Sequence, residues 1–193
     1  ISGLSNMTNL ESLYLSENNV SDISALSTLV NLKTLSINEN NISDISAMSN
    51  LTNLTYLSLE KNQLADVSAV SACTKLTELN IASNSIADIT ALSTLVELTA
   101  FDFSYNQVKK LPAFPKTCAL VTITGSHNLL TSLENLGGLQ NLNTINMDYN
   151  SKITSVKALA DCPVLIEVNI YGTKVKDVSM LTEQTIVVNY TPV

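Results

Sequence analysis

This chain contains no arginine and no tryptophan, and its single histidine is His127. Its ten basic residues are therefore all lysines, which are outnumbered by 17 acidic residues to give a formal net charge of −7. Because proteins bind nucleic acids by neutralising phosphates with clustered basic residues, this composition argues against a nucleic-acid partner. No apolar stretch approaches the ~18 residues of a membrane-spanning helix, so we also expect no insertion into a membrane.

The chain also lacks the short motifs that mark common catalytic and cofactor sites. It contains no G-x-S-x-G nucleophile turn, no P-loop, no zinc-binding H-E-x-x-H and no dinucleotide-binding G-x-G-x-x-G. No such motif gives His127 a serine, cysteine or metal-ligand partner. We therefore predict that the chain is not an enzyme and binds no cofactor and no metal, although a catalytic domain outside these 193 residues would leave no trace in them.

What the sequence does contain is a repeat with an offset of 22 residues. The stretch NNVSDISALSTLVNL at residues 18–32 returns as NNISDISAMSNLTNL at residues 40–54, with eleven identical residues. We predict a single domain over residues 1–193, with a partial repeat at 1–9 and a terminal strand or partial cap at 182–193. The eight full repeats begin at residues 10, 32, 54, 76, 98, 120, 142 and 165.

Each repeat opens with L-x-x-L-x-L-x-x-N, and we number its positions as places 1 to 22. The opening alternates with period two, which predicts a short strand with one face turned inward. Apolar residues return at places 11, 14, 17 and 20, as in Ile86, Ile89, Leu92 and Leu95. One repeat alone buries too little apolar surface to offset its lost conformational entropy, so neighbouring repeats must stack.

This pattern resembles that of leucine-rich repeat proteins, and the stretch NSIADITAL at residues 84–92 resembles the bacterial internalin type. The resemblance extends from residue 1 to about residue 181 and recurs in phase at many positions. It implies an α/β solenoid, curved as a right-handed horseshoe arc. A parallel β-sheet would line the concave face, and turns, 3₁₀ segments or short helices would form the convex side.

Two polar columns look chemical, but we interpret them as structural. Asparagine recurs at place 9, where a carboxamide can satisfy backbone groups at the end of each strand. Aspartate recurs at place 13, where a carboxylate can cap the N–H groups of the following turn. A calcium ladder is the alternative for the aspartates, but no second row of oxygen ligands accompanies them. The two columns are Asn18, Asn40, Asn62, Asn84, Asn106, Asn128 and Asn150, and Asp22, Asp44, Asp66, Asp88 and Asp177.

The three cysteines are Cys73, Cys118 and Cys162, and we predict free thiols. Cys73 and Cys162 stand at the inward place 20, where other repeats have leucine. Four repeats separate these two cysteines, or roughly 19 Å at ~4.8 Å per strand. This separation exceeds the ~7 Å limit between the Cα atoms of a disulfide.

Two departures in packing also give predictions. Gly125 stands at an inward strand position where the other repeats have large side chains, and we expect Phe103 and Met147 to fill the gap. Pro112 and Pro115 lie in the segment 111–118, where we expect an extended path instead of a helix. The 22-residue spacing continues across this segment, so the strand register should be unchanged.

The outward places of the strands carry mostly serine, threonine and asparagine, and two sets of residues break this pattern. The first is an aromatic column: Tyr105, His127 and Tyr149 at place 8, extended by Tyr171 one place earlier. The second is acidic. It comprises Glu17, Glu39, Glu60, Glu78, Asp102 and Asp148. Aromatic residues and charges often set interface energy and selectivity, so we predict that these ten residues contact a partner, although the tyrosines could instead cover the sheet edge.

The resemblance to internalins implies a non-catalytic protein-recognition module at the surface of, or secreted by, a Gram-positive bacterium. Its partner would be a protein, such as a host or cell-surface receptor, bound on the concave face by a monomer. The alternative is an intracellular scaffold or regulatory subunit, similar to leucine-rich repeat proteins that regulate a phosphatase. An export signal and a wall anchor in the complete gene would separate these two hypotheses.

Overall fold

The computed structural model describes residues 1–184 and 186–191, so residues 185, 192 and 193 of the predicted terminal segment lie outside the described residues. Nine parallel strands form one open sheet in chain order. The strands are β1 Ser12–Tyr14, β2 Thr34–Ser36, β3 Tyr56–Ser58, β4 Glu78–Asn80, β5 Ala100–Asp102, β6 Thr122–Thr124, β7 Thr144–Asn146, β8 Glu167–Asn169 and β9 Val187–Asn189.

Strands β1 to β8 bury their middle residue against the core and turn the two flanking residues away from it, as the period-two pattern predicts, whereas the middle residue of β9, Val188, is only partly buried. In β1, Leu13 is buried while Ser12 and Tyr14 are exposed. Residues pair with those 22 positions later from β1 to β7, so that Ser12 lies opposite Thr34. Because the sheet has no crossovers, equivalent places of successive repeats form straight columns across the concave face.

The convex side carries one short helix in most repeats. The 3₁₀ helices are η1 Ser2–Asn6, η2 Ser24–Thr28, η3 Ser46–Asn50, η4 Ser68–Ala72, η5 Thr90–Thr94, η6 Glu134–Leu136 and η7 Lys157–Asp161, and one α-helical turn, α1, spans Ser179–Thr182. A sheet on one side and short helices on the other make a leucine-rich repeat solenoid arc, as the resemblance implied.

The asparagine column has the structural role that the sequence predicts. Asn150 is fully buried, and its side-chain amide donates to the carbonyl oxygens of Gly125, Met147 and Asp148 at 2.9–3.3 Å. Its side-chain oxygen accepts the N–H of Leu130 at 3.0 Å. One side chain therefore fixes the end of its own strand and the backbone of the preceding repeat. Asn40, Asn62, Asn84, Asn106 and Asn128 repeat this set of bonds.

The aspartate column caps the convex turns. Asp66 Oδ1 accepts the N–H of Ser68 at 2.8 Å, and Asp22, Asp44, Asp88 and Asp177 make the same bond two residues ahead. Hydrogen bonds from Ser68 lower the pKa of Asp66, because they stabilise its ionised form. Capping thus accounts for this column.

The core places large and small side chains in complementary positions. A Cβ added to Gly125 would collide with the ring of Phe103, which supplies the three nearest atoms. The predicted compensation is therefore confirmed for Phe103, and Met147 in the next repeat is fully buried as well. Cys73, Cys118 and Cys162 are buried free thiols, as predicted.

The two prolines remove a helix without disturbing the sheet. Residues 111–115 have no regular structure, and a single turn follows at Lys116–Thr117, closed by the N–H of Cys118 on Pro115 O at 3.0 Å. Ala100 of β5 still pairs with Thr122 of β6. The absence of a helix in the segment 111–118 and the unchanged strand register are thus confirmed.

Candidate partner-binding surface

The concave face is a lattice of polar side chains that already bond with one another. Ser58 Oγ donates to Asn38 Oδ1 at 2.7 Å, Ser126 Oγ donates to Ser104 Oγ at 3.2 Å, and Asn189 Nδ2 donates to Asn169 Oδ1 at 2.7 Å. Since these groups have partners before any ligand arrives, replacing the bonds with new ones gains little free energy. Most of this face therefore contributes shape and solubility. The aromatic and acidic residues that interrupt it are the candidates for contacting a partner.

The place-8 column has an unusual backbone conformation at every position. Its residues have φ values from 52° to 66°, which is the left-handed region. This conformation costs a residue other than glycine roughly 1–2 kcal/mol. The column comprises Glu17, Glu39, Lys61, Ser83, Tyr105, His127, Tyr149 and Gly172. Because residues so different adopt one conformation, the turn of the repeat imposes it, and the fold does not require a particular side chain here.

Three consecutive members of this column form a stack of rings. The ring centroids of Tyr105 and His127 lie 4.3 Å apart with planes inclined by 12°, and those of His127 and Tyr149 lie 4.4 Å apart with planes inclined by 23°. Tyr105 and Tyr149 remain 57% and 55% exposed, so the stack stands above the surface. The ring edges and hydroxyl groups thus face solvent while the imidazole is covered on both faces.

The backbone beneath the stack is held at each step by the next repeat. The N–H groups of Tyr105 and His127 donate to the carbonyl oxygens of Ser126 and Asp148 at 2.9 and 2.8 Å. The asparagines that follow the three aromatic residues, at place 9, anchor the same turns from the inside. The stack is therefore preorganised, which lowers the entropy cost of binding.

Tyr171 lies beside the stack but outside the place-8 column. Place 8 of its repeat is Gly172, where a Cβ would meet the Tyr149 ring at 2.8 Å, so this glycine allows the backbone to pack closely on the ring. The N–H of Tyr171 donates to Asp148 Oδ1 at 2.6 Å, and the Tyr171 side chain is exposed. Burial raises the pKa of Asp148, against opposing effects of this bond and of His127.

The acidic residues form no single cluster. Glu17 and Glu39 lie in the place-8 column, where the next member, Lys61, forms an ion pair with Glu39 at 2.8 Å. Glu78 and Asp102 line a shallow hollow on the concave face together with Tyr56. Asp102 accepts the N–H of Ser104 at 2.8 Å. Glu60, at place 7, accepts a bond from Asn80 at 3.1 Å.

Within residues 1–184 and 186–191, no group of three or more His, Cys, Asp and Glu is placed to hold a metal ion. The same residues include no helix of the length and apolarity that crossing a membrane requires.

Sequence reasoning missed three features of this surface. Among the described residues, Tyr14 is the most exposed large apolar or aromatic side chain, at 69%, and it stands with Tyr56 at outward strand places that the repeat pattern identifies. Lys61 reduces the negative charge of the acidic end. Its position at place 8, in the same column as Glu17 and Glu39, was enough to predict this. The left-handed conformation of the column had no such signal, because glutamate, lysine and tyrosine are not typical of it.

Comparisons with known proteins agree with this architecture. The family model for leucine-rich repeats (2 copies) matches residues 8–50, 30–72 and 52–94. The crystal structure of an internalin, InlF, from Listeria monocytogenes superposes with a TM-score of 0.87 and 30% identity, covering 98% of this chain and 56% of that one. That of internalin C2 from the same species gives a TM-score of 0.89 and 28% identity, covering 97% and 84%.

A leucine-rich repeat protein from Leptospira interrogans shares the fold with a TM-score of 0.76 at 24% identity, over 85% of this chain and 44% of that one. No curated protein matches the chain. The chain spans only about half the length of InlF.

Proposed function

Because the chain is an internalin-like leucine-rich repeat protein, and this fold generally serves protein interaction without catalysis, we propose that it is a recognition module that binds a protein partner. In this proposal residues 1–193 act as a single, monomeric domain of a secreted or surface protein of a Gram-positive bacterium. The partner is a host or cell-surface receptor, which is held on the concave face and its aromatic edge.

The observation that carries this proposal is the stack of Tyr105, His127 and Tyr149. The fold accepts glutamate, lysine and serine at the same place in other repeats, so neither the turn nor the core demands three aromatic residues in succession. Exposed, immobilised aromatic side chains are the residues that most often dominate the binding energy of protein interfaces. Tyr171 and Asp148 extend the surface on one side of the stack.

The acidic residues would select the partner more than hold it. Glu17, Glu60, Glu78 and Asp102 belong to no ion pair among the described residues, whereas Glu39 is paired with Lys61. Exposed charges chiefly change the association rate and its dependence on salt. A partner with a basic surface would thus be attracted to the acidic repeats and held by the aromatic edge.

The test uses substitutions suited to the left-handed backbone. Asparagine tolerates this conformation better than tyrosine, so Tyr105→Asn combined with Tyr149→Asn removes two rings without unfolding the turn. Ser83→Asn makes the same kind of change in the same column, outside both the stack and the acidic residues. Both proteins are immobilised beside the wild type, receptor ectodomains are screened against the wild type, and affinities are measured for those that bind.

We expect the double tyrosine variant to lose more than ~2 kcal/mol of binding free energy. Its free energy of unfolding should stay within ~1 kcal/mol of that of the wild type. The control variant should bind within about threefold of the wild type, because near-neutral positions surround such anchors. A receptor that binds both variants equally, but fails on Glu17→Lys with Glu39→Lys and Glu60→Lys, would place the site at the acidic end.

A further inference from the structure

A second surface lies on the flank of the arc, where the chain leaves each strand turn and enters the convex side. At places 12 and 13 and in the turns beside them, the last four repeats carry Lys109, Lys110, Lys157, Lys174 and Lys176, all of them exposed. We call these five residues the basic flank. They are half of the ten lysines in the chain. The partner site proposed on the concave face includes none of them.

The basic flank borders a continuous groove. Its centre is a hollow of about 640 Å³ between η6 and η7. The residues that line it include Thr131, Ser132, Thr154, Ser155 and Lys157. One adjoining hollow shares Ser132 with it and is lined by Lys109 and Lys110. Another shares Ser155 and Lys157 and is lined by Lys174 and Lys176. The central hollow lies beside η6, which has only three residues, and the hollow of Lys109 and Lys110 reaches the proline segment at Leu111.

The capping residues of this flank change charge at the same point. In the first four full repeats, place 13 is an aspartate whose carboxylate caps the turn. In the next three it is Lys110, Ser132 and Ser155, and the two serines keep the capping bond, accepting the N–H of Glu134 and Lys157 at 3.1 and 3.2 Å. The hydrogen bond is thus retained while the negative charge is removed, so capping alone does not explain the exchange.

The lysines of the groove form no close ion pair, although Glu134, Asp161 and Asp177 line the same hollows. Among residues 1–184 and 186–191, the only lysine–carboxylate pairs within 4.0 Å are Lys33–Glu11 and Lys61–Glu39, both in the first half of the chain. Like charges gathered without partners repel one another and weakly destabilise the folded state. A ligand that carries negative charge would relieve this repulsion.

We propose that the basic flank binds an acidic, partly apolar segment of a protein partner. Ala158, Ala160 and Met180 line the central hollow, which gives apolar side chains of such a segment a place to pack. Glu134 and Asp161 also line it, and they would repel a polymer with uniform negative charge, such as a sulfated glycan or a nucleic acid. The absence of arginine points the same way, because arginine is the side chain that binds phosphate and sulfate groups in a bidentate manner.

The experiment measures fluorescence anisotropy of a short labelled peptide in which Glu, Asp and Leu alternate, at low ionic strength. Lys109→Gln with Lys157→Gln and Lys176→Gln removes three charges from the groove. Lys33→Gln with Lys61→Gln and Lys75→Gln is the matched control, because it changes the net charge equally at the other end of the chain. We expect the groove variant to lose affinity about tenfold or more and the control to lose less than about threefold.

A second variant keeps the fold intact by design. Ser132→Asp with Ser155→Asp restores the capping chemistry of the first repeats, so its unfolding midpoint should match or exceed that of the wild type while peptide binding is lost. Equal loss of binding in the groove variant and the matched control would overturn the proposal, since net charge alone would then explain binding. Failure of the wild type to bind the peptide, or tighter binding of heparin than of the peptide, would overturn it as well.

Self-association in sedimentation experiments that disappears in the groove variant would assign the flank to a second copy of the chain, and would equally overturn the proposal. The inference does not rest on the aromatic stack. The peptide assay is therefore repeated with the Tyr105→Asn and Tyr149→Asn variant, which should bind the peptide normally. Failure on one surface is thereby distinguished from failure on the other.

Discussion

The first four full repeats and the last four share one sheet but differ in charge and in the regularity of the convex side. Residues 1–97 carry ten acidic residues and three lysines, their convex helices all have five residues, and aspartate caps each of their full-repeat turns. Residues 98–193 carry seven of each charge, a proline segment in place of one helix and a shortened η6, and serine caps two of their turns while Asp177 caps the last one. The ring stack and the basic flank both lie in this second half.

This difference shows which part of a repeat the fold needs. Strand pairing and the asparagine bonds continue without a break through the irregular convex side, from Asn106 to Asn150. The sheet and the asparagine column therefore define the solenoid, and the convex side can vary without cost to strand register. Variation at these permissive positions is what gives the second half two candidate binding surfaces.

The largest effect should come from removing a buried asparagine. Asn150→Ala leaves three carbonyl groups and one N–H without their side-chain partner in a fully buried turn, so we expect a loss of roughly 3 kcal/mol or more in the free energy of unfolding. Asn18→Ala removes an exposed member of the same column and should cost less than about 1 kcal/mol. Urea unfolding followed by circular dichroism measures both losses. Equal losses would contradict the prediction that burial of the asparagine sets the cost.

The next effect concerns the repeat that departs most from the leucine pattern. Gly125→Leu restores the residue type of the first repeats but collides with the Phe103 ring, so we expect a destabilisation of roughly 1–3 kcal/mol. Phe103→Leu in the same chain should recover at least half of this loss. A double-mutant cycle in urea tests the coupling, and purely additive losses would mean that the two residues do not share one space.

A smaller effect should distinguish local opening in the two halves. Burial raises the pKa of all three thiols, that of Cys73 to about 11, so each reacts slowly with a thiol reagent in the folded protein. Cys118 follows the proline segment, where no helix holds the convex backbone, so we expect it to react about tenfold faster than Cys73. Timed labelling with peptide mapping by mass spectrometry measures the order, and faster reaction of Cys73 would contradict it.

The repeat made the fold predictable from sequence to an unusual depth. Repetition in phase predicted a strand in each L-x-x-L-x-L opening, the inward residues and the role of the asparagines, because the same pattern is read independently in every repeat. The ring contacts of Tyr105, His127 and Tyr149 also followed from column geometry, and they are confirmed. The role of these residues in binding, and that of Tyr171 and the acidic residues, stays a prediction, as does the extent of the domain.

Other features depended on contacts that no spacing encodes. The left-handed turn at Tyr105 comes from backbone bonds between repeats, since its N–H must reach Ser126 O. The Lys61–Glu39 ion pair depends on the orientation of two flexible side chains. The groove beside Lys157 depends on how η6 and η7 lie next to each other, which the repeat spacing does not predict.

The smallest effect should be a difference in acid sensitivity between the two kinds of cap. Hydrogen bonds from Ser68 lower the pKa of Asp66 and those from Thr90 lower the pKa of Asp88, below the ordinary value of 3.8. Their contribution to stability is therefore complete above that ordinary value and is lost as the pH falls through the lowered one. Serine does not titrate in this range, so Asp66→Ser with Asp88→Ser should show a smaller fall in melting temperature between about pH 5 and pH 2 than the wild type. Glu97→Gln with Asp161→Asn removes the same number of acidic groups and therefore controls for net charge. If the melting temperature of this control showed the same pH dependence as that of the cap variant, acid sensitivity would be assigned to overall charge repulsion.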